Sequence, residues 1–291
     1  MSDDRDVTAQ PSARGDVAVV VSGGAAVVPR VGDDVAVVVP RVDGDAAAVV
    51  SRADGDAAVV VSRAGGDVAV VVPAAGAGLR LGPGAPKALR LLDGEPLLVH
   101  AIRRIAASPS VAMIVVAAPP AEVDAVGALL APIAPVVVVA GGAERQESVA
   151  AALAVVPSSL GIVLVHDAAR CLAPVSLFER VAEAVRSGAD AVIPAQPVVD
   201  TIKEVSADGV VLGTVDRSVL RAVQTPQGFR ASVLRAAHAA AAGLHTDDAG
   251  AVEKLGLPVL CVPGSDLALK ITRPMDLALA AHLLTVPDPG I

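Results

Sequence analysis

The chain has almost no aromatic residues. Among its 291 residues there is no tryptophan or tyrosine, and the only phenylalanines are Phe178 and Phe229. Because the bases of single-stranded nucleic acids stack on aromatic side chains, this composition argues against a protein that binds such strands. The formal net charge of −8 gives no broad basic surface for a polyanion either. We therefore expect no nucleic-acid partner, whereas a small anionic ligand held by a few local cations is compatible with the composition.

Cysteines are also scarce, and long uninterrupted apolar runs are missing. Cys171 and Cys261 are too few for a disulfide framework or a cysteine metal cluster. The acidic, polar N-terminus lacks the basic region and apolar core of a secretory signal, so the sequence predicts a cytoplasmic protein. The longest uncharged stretch, residues 125–143, is broken by Pro132, Pro135 and two glycines. We therefore predict no membrane span.

Residues 1–66 are of low complexity. Asp34, Asp45, Asp56 and Asp67 each open a similar unit of Ala and Val, at a spacing of eleven residues. One interpretation is a small β-repeat or adhesive segment. The other, which we favour, is duplicated strand sequence that is poorly ordered, because eleven residues are fewer than most solenoid repeats contain. The chain then divides into this segment, a domain over residues 67–286, and a tail of residues 287–291.

From Asp67 onwards, strand-like runs alternate with alanine-rich helical patterns. The predicted strands are Val68–Val72, Met113–Ala117, Val136–Val139, Ile162–Val165 and Ala191–Pro194. Helical patterns lie between them, around Leu97–Ala107, Ala121–Leu130, Arg145–Val155 and Val175–Ser187. This order predicts an α/β fold, Rossmann-like, with a mostly parallel sheet covered by helices on both faces. Such sheets bind ligands at the carboxyl ends of their strands.

One segment departs from this alternation. Residues 198–227 alternate apolar and polar side chains, and the letters SADG separate two strand-like halves, as in a β-hairpin. A hairpin inserted into a doubly wound domain is expected to protrude from it as an arm.

The strand at Val68 runs into a glycine-rich loop that ends in two cations, Arg80 and Lys87. Gly76, Gly78 and Gly82 are one residue too far apart for the dinucleotide-binding fingerprint, and Lys87 lacks the neighbours of a P-loop lysine. A third interpretation is a nucleotidyltransferase loop, whose backbone N–H groups hold a nucleoside triphosphate. The loop alone leaves this choice open.

Two later motifs favour the third interpretation. The letters GGAERQESV place Gly142, Arg145 and Ser148 after the third strand, where they could receive a base and a ribose. The letters VLVHDAAR place Asp167 and Arg170 at the end of the fourth strand, where a carboxylate can hold Mg²⁺ and an arginine can bind a phosphate. The alternatives are that Asp167 caps the following helix and that Arg170 pairs with a nearby carboxylate.

A set of motifs in a fixed order then resembles a known family. The segments PAAGAGLRLGPGAPK, GGAERQESV, VLVHDAAR, PVVDTIK, TVDRSVLRAVQTPQGF, TDDA and ALKITRPMDLALA closely resemble the 2-C-methyl-D-erythritol 4-phosphate cytidylyltransferases of the non-mevalonate isoprenoid pathway. The resemblance covers about residues 67–284. It implies a nucleotide-diphospho-sugar transferase type of fold and a homodimer. It also implies transfer of CMP from CTP to methylerythritol phosphate, with Mg²⁺ or another divalent cation and release of pyrophosphate.

The resemblance also implies roles for individual residues. Those that would bind CTP are Ala74, Ala75, Gly76, Gly78, Gly142, Arg145 and Ser148. The charge developing on the α-phosphate would be stabilised by Arg80 and Lys87, with Arg217 and Lys270 as further cations. The methylerythritol phosphate would be placed by Asp167, Arg170, Thr201 and Thr225, with Asp167 also holding the metal. Arg217 and Thr201 lie on the arm, which in this family crosses into the partner subunit.

Some positions depart from the family pattern or carry a simpler interpretation. Cys171 stands where the family commonly has proline, and Ala143 where it often has an acidic residue. We interpret Cys171 as an inert apolar residue and His166 as structural, and expect His238 to be a surface or helix residue. Residues 246–248 are predicted to start a helix with Thr246 as its N-cap. The alternatives to the cytidylyltransferase are a related nucleotidyltransferase for another sugar or alcohol phosphate, and a non-enzymatic interaction protein built on the repeats.

Overall fold

The computed structural model describes most of the chain beyond residue 65. It gives backbone and side chains for residues 66–76, 78, 81, 84–240 and 247–285, and the backbone alone for strands at residues 17–19, 26–27, 35–39, 46–53 and 56–63. Arg80 lies outside the described residues, as do Gly82, His245, Thr246 and residues 286–291.

Five strands lie in the repeat segment. They are β1 (Val17–Val19), β2 (Ala26–Val27), β3 (Val35–Val39), β4 (Ala46–Ala53) and β5 (Asp56–Arg63). β4 pairs antiparallel with both β1 and β5 in a separate sheet. β3 pairs antiparallel with a strand of the main sheet at Val136–Val139. The order of the repeat segment as a whole and its dispensability for the enzyme both stay predictions.

The main sheet is mixed and mostly parallel, as the alternation of strands and helices predicts. In chain order the further strands are β6 (Val68–Pro73), β7 (Leu91–Leu92), β8 (Glu95–Pro96), β9 (Val111–Ala118), β10 (Val136–Ala140), β11 (Ile162–Val165), β12 (Ala191–Pro197), β13 (Ile202–Val205), β14 (Val211–Val215), β15 (Arg221–Val223), β16 (Gln227–Arg230) and β17 (Val259–Pro263). β10, β9, β6 and β11 lie side by side and run parallel, and β12 runs parallel to β17. β16 is inserted antiparallel between β11 and β12.

Helices connect the parallel strands and match the predicted stretches to within a few residues. They are α1 (Leu97–Ala106), α2 (Val123–Leu130), α3 (Arg145–Ala154), α4 (Val175–Arg186), α5 (Ala231–Ala240), α6 (Asp248–Lys254) and α7 (Pro274–Thr285). None of the helices in the described residues is both long and apolar enough to cross a membrane.

The continuous apolar sequence of β6 reflects burial on both faces of the sheet. Ala69 and Val71 belong to one hydrophobic cluster, whereas Val68, Val70 and Val72 belong to the cluster on the opposite face. All five are fully buried, and burying such side chains stabilises the fold by about 1.5–3 kcal/mol each for the valines. β6 is therefore a central strand, and its carboxyl end carries the glycine-rich loop.

The order of the strands creates a crevice beside β6. β9 and β10 follow β6 in sequence and lie on one side of it, whereas β11 lies on the other side. The chain therefore leaves β6 toward one side of the sheet and later enters β11 on the other side. This arrangement leaves an opening at the carboxyl ends of these two strands. This opening is where the sequence predicts the ligand.

The predicted hairpin is confirmed, and the strand that follows its base was missed. β13 and β14 pair only with each other among the described strands, around a turn at residues 206–209. β16, with the sequence QGFR, carries too few β-branched residues to be recognised as a strand. Its Gly228 faces Val181 and Leu164 so closely that a side chain there would collide with them. Close packing by tertiary neighbours therefore decides the conformation of β16.

Candidate active site

A cavity of about 500 Å³ opens at the carboxyl ends of β6 and β11. Four segments that are far apart in sequence surround it: the glycine-rich loop, the start of α3, the turn after β11 and a single lysine before α7. Its lining residues are Pro73, Ala74, Ala75, Gly76, Gly78, Lys87, Ala88, Gly142, Ala143, Glu144, Arg145, Ser148, Asp167, Ala168, Ala169 and Lys270. All seven predicted CTP-binding residues therefore line one cavity, together with Lys87, Asp167 and Lys270.

The glycine-rich loop folds back so that Lys87 lies against Gly78. Gly78 has a positive φ of 69°, and a Cβ atom there would lie 2.5 Å from the Cβ of Lys87. The backbone N–H of Lys87 donates a 3.1 Å hydrogen bond to the carbonyl of Gly76. The positive φ and the close approach of Lys87 require a residue without a side chain at position 78, and the hydrogen bond to Gly76 keeps the lysine beside the loop backbone.

The start of α3 is built around a capping box. The Glu144 side chain accepts from the backbone of Glu147, and the N–H of Glu144 donates to Glu147 in return. Ser148 is buried, and its hydroxyl accepts a 3.2 Å hydrogen bond from the N–H of Gly142. These bonds fix the turn that presents Gly142 and Arg145 to the cavity.

Asp167 lies between two cations. Its Oδ1 atom is 3.3 Å from Nε of Arg145, and its Oδ2 atom is 2.7 Å from Nζ of Lys270. Burial acts to raise the pKa of Asp167, but the charges of Arg145 and Lys270 outweigh burial and hold that pKa well below its usual range. The carboxylate is therefore ionised at neutral pH. Burial likewise acts to lower the pKa of Arg145, and its carboxylate partners more than offset this effect.

Lys270 is held in place through the backbone around it. The N–H of Ile271 donates a 2.8 Å hydrogen bond to the carbonyl of Ala169, in the turn after Asp167. On the other side, one oxygen of Asp276 accepts from the N–H groups of Thr272 and Arg273 and from the Thr272 hydroxyl. These contacts give the K-x-T-x-P-x-D motif a physical role, because they fix the start of α7 and the segment that carries the lysine.

Arg170 and Thr225 lie outside the lining of the cavity and are engaged by protein groups. Arg170 donates to the carbonyls of Ala268, at 2.7 Å, and Val223, at 3.0 Å. The buried Thr225 hydroxyl accepts from the N–H of Asp167 at 3.0 Å and lies 3.1 Å from Nδ1 of His166. Both side chains therefore support the turn that carries Asp167, and a direct contact of either with substrate stays a prediction.

The arm keeps its predicted residues away from this cavity. Thr201 and Arg217 are exposed, and neither lines the cavity. Arg217 donates to the carbonyl of Val199, which places the arginine at the base of the hairpin. The cavity of a single chain therefore contains Lys87 and Lys270 but not Arg217.

The residues predicted to be structural behave as expected. Cys171 packs in a hydrophobic cluster with Leu97 and Ile271, and burial raises the pKa of its thiol to about 12. His166 is buried against the ring of Phe178, and burial lowers its pKa to about 4. Ala143 lines the cavity and brings no carboxylate to it.

The sequence predicted the helical position of His238 but not its contact, and it misplaced one helix cap. His238 lies in α5 as expected, and its Nε2 atom lies 3.1 Å from Oδ1 of Asp248, whose other oxygen binds Arg145 at 2.6 Å. The N-cap of α6 is Asp247, which accepts from the N–H of Gly250, and not Thr246. From the sequence, both aspartates at the start of α6 are explained by helix capping. The long-range contact of Asp248 with Arg145 was therefore not predicted.

The potential metal ligands in the cavity suit only a metal ion that is also bound by the substrate. No group of three His, Cys, Asp or Glu side chains capable of holding a metal is found in the described part of the chain. Asp167 offers one carboxylate at the cavity wall. Mg²⁺ is commonly bound by one or two carboxylates plus substrate phosphates and water, so Asp167 fits a metal that arrives with a triphosphate.

Comparison with known proteins identifies the family that this chain resembles. Residues 68–286 match the family model described as 2-C-methyl-D-erythritol 4-phosphate cytidylyltransferase. The enzyme of that name from Frankia casuarinae is 56% identical over 213 residues, which is 73% of this chain and 79% of the relative. The Streptomyces coelicolor enzyme is 52% identical over 218 residues, or 71% of this chain and 81% of its own. The crystal structure of the Thermus thermophilus enzyme, at 39% identity, matches with a TM-score of 0.63 over 76% of this chain and all of its own.

Proposed function

This chain belongs to the 2-C-methyl-D-erythritol 4-phosphate cytidylyltransferase family, and from that membership we propose which of its residues carry out the reaction. The chain transfers CMP from CTP to 2-C-methyl-D-erythritol 4-phosphate and releases pyrophosphate, in isoprenoid precursor synthesis. The observation that supports the assignment of roles is the cavity, in which Asp167 lies between Arg145 and Lys270 beside the glycine-rich loop.

The nucleotide occupies the side of the cavity formed by the loop and by α3. Ala74, Ala75, Gly76 and Gly78 line the triphosphate, because a small-residue backbone lets phosphates approach closely. Gly142, Arg145 and Ser148 surround the cytidine. A side chain at Gly142 would collide with Glu147, so this position also depends on a missing Cβ.

Charge stabilisation is the main catalytic task of the protein. The attacking phosphate oxygen of methylerythritol phosphate is already anionic, so the reaction needs no general base. Lys87 and Lys270 reach the cavity and oppose the charge of two polyanions brought together, with Arg80 as a further cation from the loop. Preorganised cations of this kind stabilise the charge that develops on the oxygens of the α-phosphate.

Asp167 is the residue that would hold the divalent metal. Its carboxylate is ionised and lines the cavity, and the nucleotide phosphates would complete the coordination. When bound, the metal supplies charge neutralisation on the triphosphate. Lys270 and Arg145 keep the carboxylate oriented toward the same space.

The methylerythritol phosphate site is completed by a second subunit. Thr201 and Arg217 are on the exposed arm, and the arm carries exposed apolar side chains, including Val199 at 80% and Leu212 at 62% exposure. A protruding hairpin with such side chains favours docking against another copy of the chain. In the homodimer, Arg217 and Thr201 of one subunit would approach the cavity of the other.

Because Cys171 and Cys261 are both free, the chain suits the reducing cytoplasm.

A nucleotide-resolved assay tests the proposed function. Purified protein is incubated with methylerythritol phosphate and each of CTP, UTP, ATP and GTP in the presence of Mg²⁺, and pyrophosphate release is followed. We expect release with CTP, little with the other nucleotides, and loss of activity when EDTA removes the metal. Equal rates with UTP would contradict the cytidine assignment, and unchanged rates in EDTA would contradict the metal.

A further inference from the structure

Asp248 is a charged group that the reaction described above does not use. It is the first residue of α6, it is 3% exposed, and it does not line the cavity. Burial acts to raise its pKa, but a hydrogen bond from His238 and the charge of Arg145 lower the pKa below its usual range. A buried carboxylate that stays ionised destabilises the fold unless its partners compensate for the lost hydration of its charge. The ionised state of Asp248 therefore depends on its partners.

Arg145 is the partner that connects Asp248 to the cavity. Its Nη1 atom donates to Oδ2 of Asp248 at 2.6 Å, and its Nε atom donates to Oδ1 of Asp167 at 3.3 Å. The guanidinium group is planar, so contacts at two of its nitrogens determine the orientation of the whole group. The shorter contact comes from outside the cavity, and the longer one comes from the residue that would hold the metal.

The position of Asp248 is itself fixed from three directions. Its second oxygen, Oδ1, lies 3.1 Å from Nε2 of His238 on α5. Asp247 caps α6 by accepting from Gly250, and also accepts from Gln227 of β16 at 3.0 Å. The N–H of Ala249 donates to the same glutamine side chain. Asp247 and Ala249, which flank Asp248, are thus both hydrogen-bonded to the Gln227 side chain of β16. The Asp248 carboxylate is therefore held rigidly.

We propose that Asp248 is a positioning residue for nucleotide binding: it orients the Arg145 guanidinium from outside the cavity so that this group meets the cytidine portion of CTP. His238 supports Asp248 from α5 in turn. The proposal rests on the proposed role of Arg145 in binding CTP. It gives the second aspartate of the TDDA motif a function in the known reaction, which capping alone does not require, because Asp247 is the cap.

The test is the substitution Asp248→Asn, which keeps the shape and removes the charge. A lost charge-assisted hydrogen bond corresponds to about a tenfold loss of affinity, so we expect the KM for CTP to rise about tenfold. Because the cytidine contact exists in both ground and transition states, kcat should change by less than about threefold. Calorimetry with CTP alone should give the same loss of affinity without any turnover.

A double-mutant cycle separates positioning from a general structural role. In an Arg145→Ala background, adding Asp248→Asn should change the KM for CTP by less than about twofold, because the group that Asp248 orients is gone. Fully additive effects would overturn the proposal. The matched control is Asp67→Asn, which removes the carboxylate of another arginine ion pair, with Arg186, whose residues do not line the cavity; it should leave the KM for CTP unchanged.

The remaining outcomes are also decisive. If Asp248→Asn does not fold, His238→Ala withdraws the support of the same carboxylate, and a KM for CTP that rises about threefold sustains the proposal, whereas an unchanged value overturns it. Normal CTP affinity in a folded Asp248→Asn enzyme overturns the proposal and leaves the cytidylyltransferase function standing. A wild-type enzyme that binds no CTP in calorimetry would instead overturn the role of Arg145 and the proposal together.

Discussion

At the scale of single residues, the site combines buried supporting side chains with lysines that face the cavity. Thr225, His166 and Asp248 are almost fully buried and contact protein groups. Lys87 and Lys270 line the cavity, and the Lys270 side chain is 40% exposed. The two lysines are therefore accessible to a ligand, while Thr225, His166 and Asp248 are shielded from solvent.

Lys87 is expected to be essential for turnover but not for folding. Lys87→Ala removes a cation beside the loop backbone, and loss of one preorganised charge-stabilising group costs about 10²–10³-fold in kcat. Steady-state kinetics and thermal unfolding measure the two effects separately. A variant with near-normal kcat would remove the catalytic role assigned to this lysine.

The two thiols should differ in reactivity because only one of them reaches solvent. Cys261 is exposed, whereas Cys171 is buried and has a pKa raised to about 12 by burial. Since the thiolate is the reactive form, we expect Ellman's reagent at pH 8 to modify Cys261 within minutes and Cys171 only after denaturation. Cys261→Ser serves as the control, and rapid modification of this variant in its native state would contradict the packing of Cys171.

At the scale of elements, the site is assembled by four loop segments that are far apart in sequence. The loop after β6, the turn after β10, the turn after β11 and the segment before α7 all open on one cavity. The arm is different, because β13 and β14 pair only with each other among the described strands and carry exposed apolar residues. A single subunit therefore supplies the described lining of the cavity, and Thr201 and Arg217 of the arm lie outside that lining.

The arm should act in trans. When a subunit with Arg217→Ala is mixed with one carrying Lys87→Ala, each heterodimer keeps one cavity with an intact lysine and an intact arginine from its partner. We expect either homodimer to be nearly inactive and the mixture to recover a fraction of the wild-type rate. Failure to recover activity in heterodimers isolated by two affinity tags would argue against shared sites.

Local sequence patterns predicted the helices, the strands and the cavity well. They predicted the side-chain contacts around the cavity less well. Apolar runs fixed the positions of β6 and β11 to within a residue, because strands buried on both faces must be apolar throughout. β16 was missed because its conformation depends on the close approach of Gly228 to α4. The link from Asp248 to Arg145 spans 103 positions, and no local pattern encodes such a contact.

At the scale of the whole molecule, the enzyme domain and the repeats are joined through the edge of the main sheet. The family match begins at residue 68, where the repeats end. In the described strands, β3 covers the edge of β10 with four paired valine and alanine positions. The cavity lies at the carboxyl ends of the parallel strands, and its described lining residues all lie beyond residue 66.

Removal of the repeats should preserve catalysis and alter association. Deletion of residues 1–66 leaves every lining residue of the cavity in place, so we expect kcat/KM to stay within about twofold of the full chain. The deletion also uncovers the β10 edge, and unpaired edges promote association. Light scattering should therefore show more aggregation at equal concentration. A truncated protein that cannot fold would contradict the view that the domain is independent of the repeats.

In the proposed reaction, this cavity joins the phosphate of methylerythritol phosphate to the α-phosphorus of CTP. Phosphorus NMR of the complete reaction follows both atoms directly. We expect the methylerythritol phosphate signal to disappear while two mutually coupled signals of a diphosphate diester appear, together with free pyrophosphate, and we expect Lys87→Ala to slow their appearance. An unchanged methylerythritol phosphate signal, with CTP intact or merely hydrolysed to CMP, would contradict the proposed reaction.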